Sequence, residues 1–139
     1  RTAGASVAQD LDRNRWRLQI GADWTDARDA TNDRNTGGKY LTFRPLNSQR
    51  AALSYRDRGL SGEVSWRRVS ERPVLETNTK WLRAYQLVAA QVGYVFHVRR
   101  VELEPQVGVN NSLNENYRII RFAPMPLREW YFTIRMRTL

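Results

Sequence analysis

The chain contains no cysteine. Disulfides, thiolate metal centres and cysteine nucleophiles are therefore excluded. Histidine is almost as scarce: His97 stands alone, which gives no basis for a histidine metal site or a catalytic triad. No apolar run approaches the roughly 18 residues of a membrane helix. That excludes a helical membrane protein and leaves a membrane β-barrel open, because alternating strands average out in hydropathy. The opening RTAGASVAQD has no apolar segment of the kind a secretory signal carries. Lysine occurs only at Lys39 and Lys80.

What remains is arginine, aromatics and alternation. The 139 residues fit one domain, and 41% hydrophobic with 27% charged residues is not a disordered composition. The formal charge of +9 comes almost wholly from arginine. A basic chain of this kind suits nucleic acid, anionic lipid or an anionic ligand, or simply comes from a source that favours arginine.

The period is two along most of the chain, which predicts strands. In residues 15–26, Trp16, Leu18, Ile20, Ala22 and Trp24 share one face, with Arg17, Gln19 and Asp23 on the other. In 48–56, Ala51, Leu53 and Tyr55 oppose Arg50 and Arg56; in 60–68, Val64 and Trp66 oppose Glu63 and Arg67. The stretch 84–97 sets Val88, Ala90, Val92, Tyr94 and Phe96 on one face. In 100–111, Leu103, Pro105, Val107 and Val109 oppose Glu102, Glu104 and Gln106. At the end, Trp130, Phe132, Ile134 and Met136 oppose Tyr131, Thr133, Arg135 and Arg137. This is an all-β, antiparallel pattern of about six up-and-down strands, with residues 1–14 expected to hold the end of a preceding strand and a turn.

Short turns at 57–59 and 97–99 alternate with long polar segments at 27–45, 70–83 and 112–128. Membrane barrels show that asymmetry, with short turns on one side and long external loops on the other. Strands of roughly 9–12 residues are long enough to cross a bilayer core when tilted. Trp24, Trp66, Tyr85 and Trp130 fall near the long-loop ends, and Trp16, Tyr55, Tyr94 and Phe96 near the short-turn ends, the positions of two aromatic girdles. Alternation alone leaves a soluble antiparallel domain open. Six strands do not close a membrane barrel, and a sheet in lipid has no open edge. The edges must then pair with more of the same polypeptide, another chain or symmetry copies.

Several stretches resemble the C-terminal strands of TonB-dependent outer-membrane receptors. TDARDAT (25–31) is similar to a strand end before a loop. GKYLTFRPLNSQRAALSYR (38–56) resembles a G-x-Y-L-x-x-R-P approach to the next strand, and LRAYQLVAAQVGYVF (82–96) a strand with spaced tyrosines. VGVNNSLNENYRIIRFAPMPLREWYFTIRMR (107–137) resembles the family's closing hairpin, with Asn110, Asn111, Tyr117, Pro124, Pro126 and Arg128 in order. The resemblance covers about four-fifths of the chain. Leu127 stands where the family places glycine, and Thr138–Leu139 where it ends on an aromatic that the insertion machinery reads.

The resemblance implies the last part of a barrel of about 22 strands. Such a barrel takes up a scarce nutrient (ferric siderophore, cobalamin, haem or similar) across the outer membrane with TonB-derived energy. Its partners would be the rest of the barrel and a plug, in the same polypeptide or a separate chain, and TonB through that plug. Outer-membrane lipid, lipopolysaccharide and a small ligand would complete the set. In this frame Arg17, Arg50, Glu63, Arg67, Arg135 and Arg137 line the lumen. The opposite face, Trp16 through Met136 as set out above, meets lipid.

The external loops would offer Tyr40, Phe43, Trp81, Tyr117, Arg118, Arg121 and Phe122 to a ligand, or use them to pack against one another. The wall arginines would attract an anion or be neutralised by nearby carboxylates. Asp26, Asp29, Asn32, Asp33 and Asn35 do not follow a calcium-loop spacing, and Gly37–Gly38 is not a phosphate loop. No metal, cofactor or catalytic pair is implied. The competing readings are a structural or porin-like barrel subunit without TonB coupling and a soluble basic domain for nucleic acid. The last would place aromatics beside arginine to stack bases, and here they lie mostly on the opposite face.

Overall fold

The computed structural model describes residues 2–138. Twelve strands follow one another: β1 Thr2–Arg13, β2 Trp16–Ala27, β3 Asn47–Asp57, β4 Leu60–Val69, β5 Arg72–Pro73, β6 Trp81–Leu82, β7 Tyr85–Tyr94, β8 Phe96–Val98, β9 Val101–Asn110, β10 Arg118–Ile120, β11 Ala123–Pro124 and β12 Glu129–Thr138. There is no helix among the described residues. One antiparallel meander runs β1-β2-β3-β4-β7-β9-β12, with β8 also on β9. The pairs β5-β6 and β10-β11 sit in the loops.

Seven long strands form where six were read. Where the end of a strand and a turn were expected, β1, Thr2–Arg13, pairs with β2 throughout, from Thr2 opposite Ala27 to Arg13 opposite Trp16. Its apolar face is Ala3, Ala5, Val7, Gln9 and Leu11. Small side chains and one glutamine blunt the alternation there.

The register puts like beside like. Leu18, Leu53, Val64 and Ala90 follow one another across β2, β3, β4 and β7. Val92, Val107 and Phe132 do the same across β7, β9 and β12. Because each pairing keeps the two-residue period in step, every alternating apolar set falls on one face. That face is open: Trp130 is 69% exposed, Phe132 66% and Met136 74%. Val109 shares it but is buried at 9%, flanked in register by Trp130 and Ala90.

The short connections are the two-residue turns Asn14–Arg15, Arg58–Gly59 and Arg99–Arg100. Arg58 and Gly59 both have positive φ, 45° and 87°, the backbone of a type I′ hairpin. The expected turn at 97–99 is displaced, because His97 is a strand residue opposite Glu102. The expected continuous strand 84–97 is broken at Val95. Register continued from Gly93 opposite Gln106 would bring Tyr94 and Val95 against Pro105 and Glu104, where proline has no N–H for the ladder. Leu139, where the family pattern would place an aromatic, lies outside the described residues.

Among the described residues the buried side chains are Ala27, Val69, Arg72, Pro73, Tyr85, Val109 and Asn111, and all lie at the long-loop end. Among the described residues nothing forms a second layer over the middle of the sheet. Its core is where the loops fold onto the strand ends, and that places the site.

Candidate ligand site

The polar face is laced with charge pairs for most of its length. Arg17 Nε donates to Asp12 at 2.7 Å, Arg50 pairs with Asp23 at 3.2 Å and Arg135 with Glu104 at 3.5 Å. Ser54 Oγ donates to Glu63 at 3.1 Å, and Tyr131 Oη to Gln91 at 3.2 Å. Tyr131 lies over Gly108, where a Cβ would run into its ring. A depression of about 590 Å³ on this face, toward the short turns, is lined by both signs, including Asp12, Arg17, Glu63 and Arg135. Arg67 and Arg137 have no carboxylate at ion-pair distance among the described residues. Arg137 faces Glu102 in register, and Glu102 meets His97 at 3.3 Å.

The loops hold one another. Asn78 accepts from Tyr40 N at 2.7 Å through Oδ1 and donates to Tyr40 O at 2.9 Å through Nδ2. Lys39 Nζ reaches Thr77 O at 3.0 Å. Arg28 sits 4.2 Å over the Tyr40 ring and donates to its hydroxyl at 2.7 Å. Tyr40 meets Trp81 edge-on at 6.1 Å, and Trp81 Nε1 donates to Asn78 O at 2.8 Å. The third loop is tied by Asn111, 6% exposed. Its Oδ1 accepts from Glu115 N at 2.8 Å and its Nδ2 donates to Glu115 O at 2.8 Å and Pro126 O at 3.2 Å. The carboxylates of the first loop serve local turns: Asp29 accepts from Thr31, Asp33 from Asn35 and Thr36, and Asp26 pairs with Arg28.

Arg72 links the second and third loops. Its side chain is buried, at 2% exposure. Nη2 donates to the carbonyls of Arg118 at 2.7 Å and Ile119 at 3.1 Å, and the guanidinium stands 5.4 Å from the Tyr85 ring. Among the described residues the buried Nη1 has no hydrogen-bond partner, and no carboxylate is at ion-pair distance. An incompletely satisfied buried guanidinium is costly. Tyr85 packs against Tyr117 with ring centroids 4.6 Å apart and planes tilted by 34°. Burial pushes the Tyr117 phenol up, the Tyr85 hydroxyl adds to this, and Arg67 opposes it.

These groups border a cavity of about 280 Å³ between the wall and the loops. Arg50, Arg67 and Arg72 supply charge to its lining, Ser48 a hydroxyl, and Phe43, Tyr85 and Ile119 flat or apolar surface. Arg50 and Arg67 are direct cross-strand partners, an arrangement that like charges disfavour. Among the described residues Asp23 is the one carboxylate bonded to any of the three arginines, and it also accepts from Ser6 at 2.5 Å and Ser48 at 3.2 Å. This end of the wall has excess positive charge, whereas the turn end is largely balanced.

The structure therefore divides the loop residues singled out from sequence. Phe43 lines the cavity and Tyr117 backs Tyr85. Tyr40 and Trp81 clamp the first loop to the second. Arg118, Arg121 and Phe122 form the β10-β11 hairpin. There Arg121 lies 4.5 Å from the Phe122 ring, Phe122 is 76% exposed, and Arg118 offers its carbonyl to Arg72. Tyr85, read as a girdle residue, is on the polar face opposite Val69. Sequence reasoning missed Arg72, which sits in an aperiodic loop. Arg-Pro in an otherwise exposed segment carries no periodic sign of burial.

No protein-family model matches the chain, and no curated protein sequence does. Solved structures do. The chain is similar to BauA, the ferric preacinetobactin receptor from Acinetobacter baumannii, with a TM-score of 0.83 at 14% identity, covering 96% of this chain and 22% of that one. It is similar also to the siderophore receptor PiuA from Acinetobacter baumannii, with a TM-score of 0.78 at 16% identity, covering 96% and 21%. The chain thus spans about a fifth of the length of these receptors. Its fold is that of a segment of such receptors, the antiparallel all-β architecture read from its alternation.

Proposed function

We propose that this chain is the C-terminal part of the barrel of a TonB-dependent outer-membrane receptor, and that its loop-end cavity contacts an anionic nutrient, a ferric siderophore or a comparable chelate. The observation that carries the reading is the cavity of Arg50, Arg67 and Arg72, with a single carboxylate bonded to them among the described residues. The fold shared with two siderophore receptors supports it, as does the open apolar face, which a water-soluble surface would not sustain at this extent.

In this role the three guanidiniums attract and orient an oxyanion, and hydrogen bonds to an ionised group are stronger than those between neutral groups. Phe43 and Tyr85 offer surface to the ligand's body. The clamped loops keep these groups in place. Energy comes from TonB acting on a plug in the rest of the receptor, the apolar face meets outer-membrane lipid, and the external loops meet lipopolysaccharide. The role is transport and requires no catalytic group.

The test is binding by the complete receptor that carries these residues, followed by tryptophan fluorescence with ferric catecholate, ferric hydroxamate and ferric citrate as probes. At least one anionic complex is expected to quench saturably. Arg72→Met is expected to weaken it ten- to a hundredfold, the range of a charged hydrogen bond of about 1.5–3 kcal/mol. Absence of saturable quenching by all three, or an unchanged affinity in a folded Arg72→Met protein, overturns the assignment.

A further inference from the structure

The apolar face carries two features that uptake does not use, and they meet toward its short-turn end. One is an open groove of about 440 Å³, bordered by Trp16, Leu53, Tyr55, Gly62, Ala90 and Trp130 among others. A Cβ built on Gly62 would meet nothing nearer than Gln91 O at 3.8 Å, so the groove owes part of its depth to a missing side chain. Trp16 and Tyr55, cross-strand partners with rings 4.7 Å apart, stand at its turn end.

The other feature is basic. Arg13 is the register partner of Trp16 and shares its face. Arg58 occupies the turn between β3 and β4. Both are exposed, and neither has a carboxylate at ion-pair distance among the described residues. The two turns adjoin: Arg56 N donates to Arg15 O at 2.8 Å, and Arg15 pairs with Asp57 at 3.1 Å. Arginines beyond an aromatic pair, at the edge of an apolar groove, repeat in order the layers of a membrane interface.

We infer that this is a seat for one anionic glycerophospholipid, with an acyl chain in the groove over Gly62 and the phosphate beside Arg13 and Arg58. The inference rests on the membrane setting proposed above. Charge selects an anionic headgroup, and groove and charge together select a lipid over an acidic protein. The short turns of such barrels face the periplasm, where the leaflet is glycerophospholipid, and this favours that source of phosphate over lipid A.

The complete native protein in mild detergent, mixed with equimolar phosphatidylglycerol and phosphatidylcholine, is to be examined by native mass spectrometry. Phosphatidylglycerol adducts are expected to exceed phosphatidylcholine adducts by roughly fivefold per arginine, the equivalent of about 1 kcal/mol each near an anionic headgroup. Gly62→Phe is expected to remove most adducts of both lipids. Arg13→Gln with Arg58→Gln is expected to abolish the preference and leave phosphatidylcholine unchanged. Retained heat-modifiable mobility on gels shows that the variants fold, and Gly62→Ala, with a small effect, serves as a second check.

Equal retention of the two lipids, adducts indifferent to Gly62→Phe, or displacement of phosphatidylglycerol by lipid A would each overturn the inference. A native protein that stays soluble without detergent and does not partition into phosphatidylglycerol liposomes would instead defeat the membrane setting itself.

Discussion

The two faces of this sheet share every strand and every register pair, yet they are built on different principles. The apolar face is generic. Leu, Ile, Val and aromatics repeat across β2, β3, β4, β7, β9 and β12, and little distinguishes one position from the next. The polar face is specific: Asp12 serves Arg17, Glu104 serves Arg135, and Tyr131 lies on Gly108. A surface that meets a uniform solvent needs only to be apolar, whereas one that meets protein and ligand needs named partners. In the proposed setting that difference is the difference between lipid and lumen.

The largest effect that tests this comparison is a charge placed on each face at neighbouring positions. Val64→Arg puts a guanidinium at mid-strand on the apolar face; Ser65→Arg puts it one residue on, toward the polar side. In a bilayer the first is expected to destabilise by about 2–4 kcal/mol, as arginine does near the membrane midplane of a barrel, and the second by well under half of that. Urea unfolding of the complete protein in phospholipid vesicles measures both. Equal destabilisation would mean that the apolar face does not meet lipid.

Next in size are the loop ties, where specificity is greatest. Asn111→Ala removes three hydrogen bonds from a buried side chain and leaves backbone groups of Glu115 and Pro126 without those partners. A loss of about 1–3 kcal/mol is expected, read as faster proteolysis within 112–128 and unchanged cleavage elsewhere. A smaller effect is expected at the exposed wall pair Arg135–Glu104, at 3.5 Å with Arg135 two-thirds exposed. Arg135→Gln should change stability by about 0–1 kcal/mol, again by urea unfolding. A large loss there would mean that this part of the wall is drier than the pair's exposure indicates.

The difference between the faces also explains what the sequence revealed. The apolar face was legible because a generic surface repeats: Trp16, Leu18 and Ile20 announce their strand through period two. β1 was half hidden because Ala3, Ala5 and Gln9 dilute that period, although its register with β2 is complete. The short turns were placed within a residue or two, His97 being counted as turn although it is a strand residue opposite Glu102. The site was far less legible. Phe43 and Tyr117 were singled out by residue type, but the burial of Arg72 depends on carbonyls 46 and 47 residues away. No local pattern records such a contact. Tyr85 was grouped with the girdle aromatics by its nearness to a strand end alone, and its parity puts it on the polar face.

The smallest expected effect concerns the first loop and is a matter of pH. Asp29 is held below the ordinary carboxylate value of 3.8, first by the Thr31 backbone N–H, then by the Thr36 and Thr31 hydroxyls. A group whose folded value is depressed adds stability that is fully present above its unfolded value and is lost as pH falls through the folded one. The ordering of residues 29–39 is therefore expected to be constant from neutral pH down to the carboxylate range and to weaken only below it. Asp29→Asn should show the weaker ordering at every pH. Hydrogen exchange at Thr31 N, corrected for its intrinsic pH dependence, reads this directly. A change already complete by pH 6 would point away from Asp29, since no histidine lies in that loop and a carboxylate with a lowered value is fully ionised there.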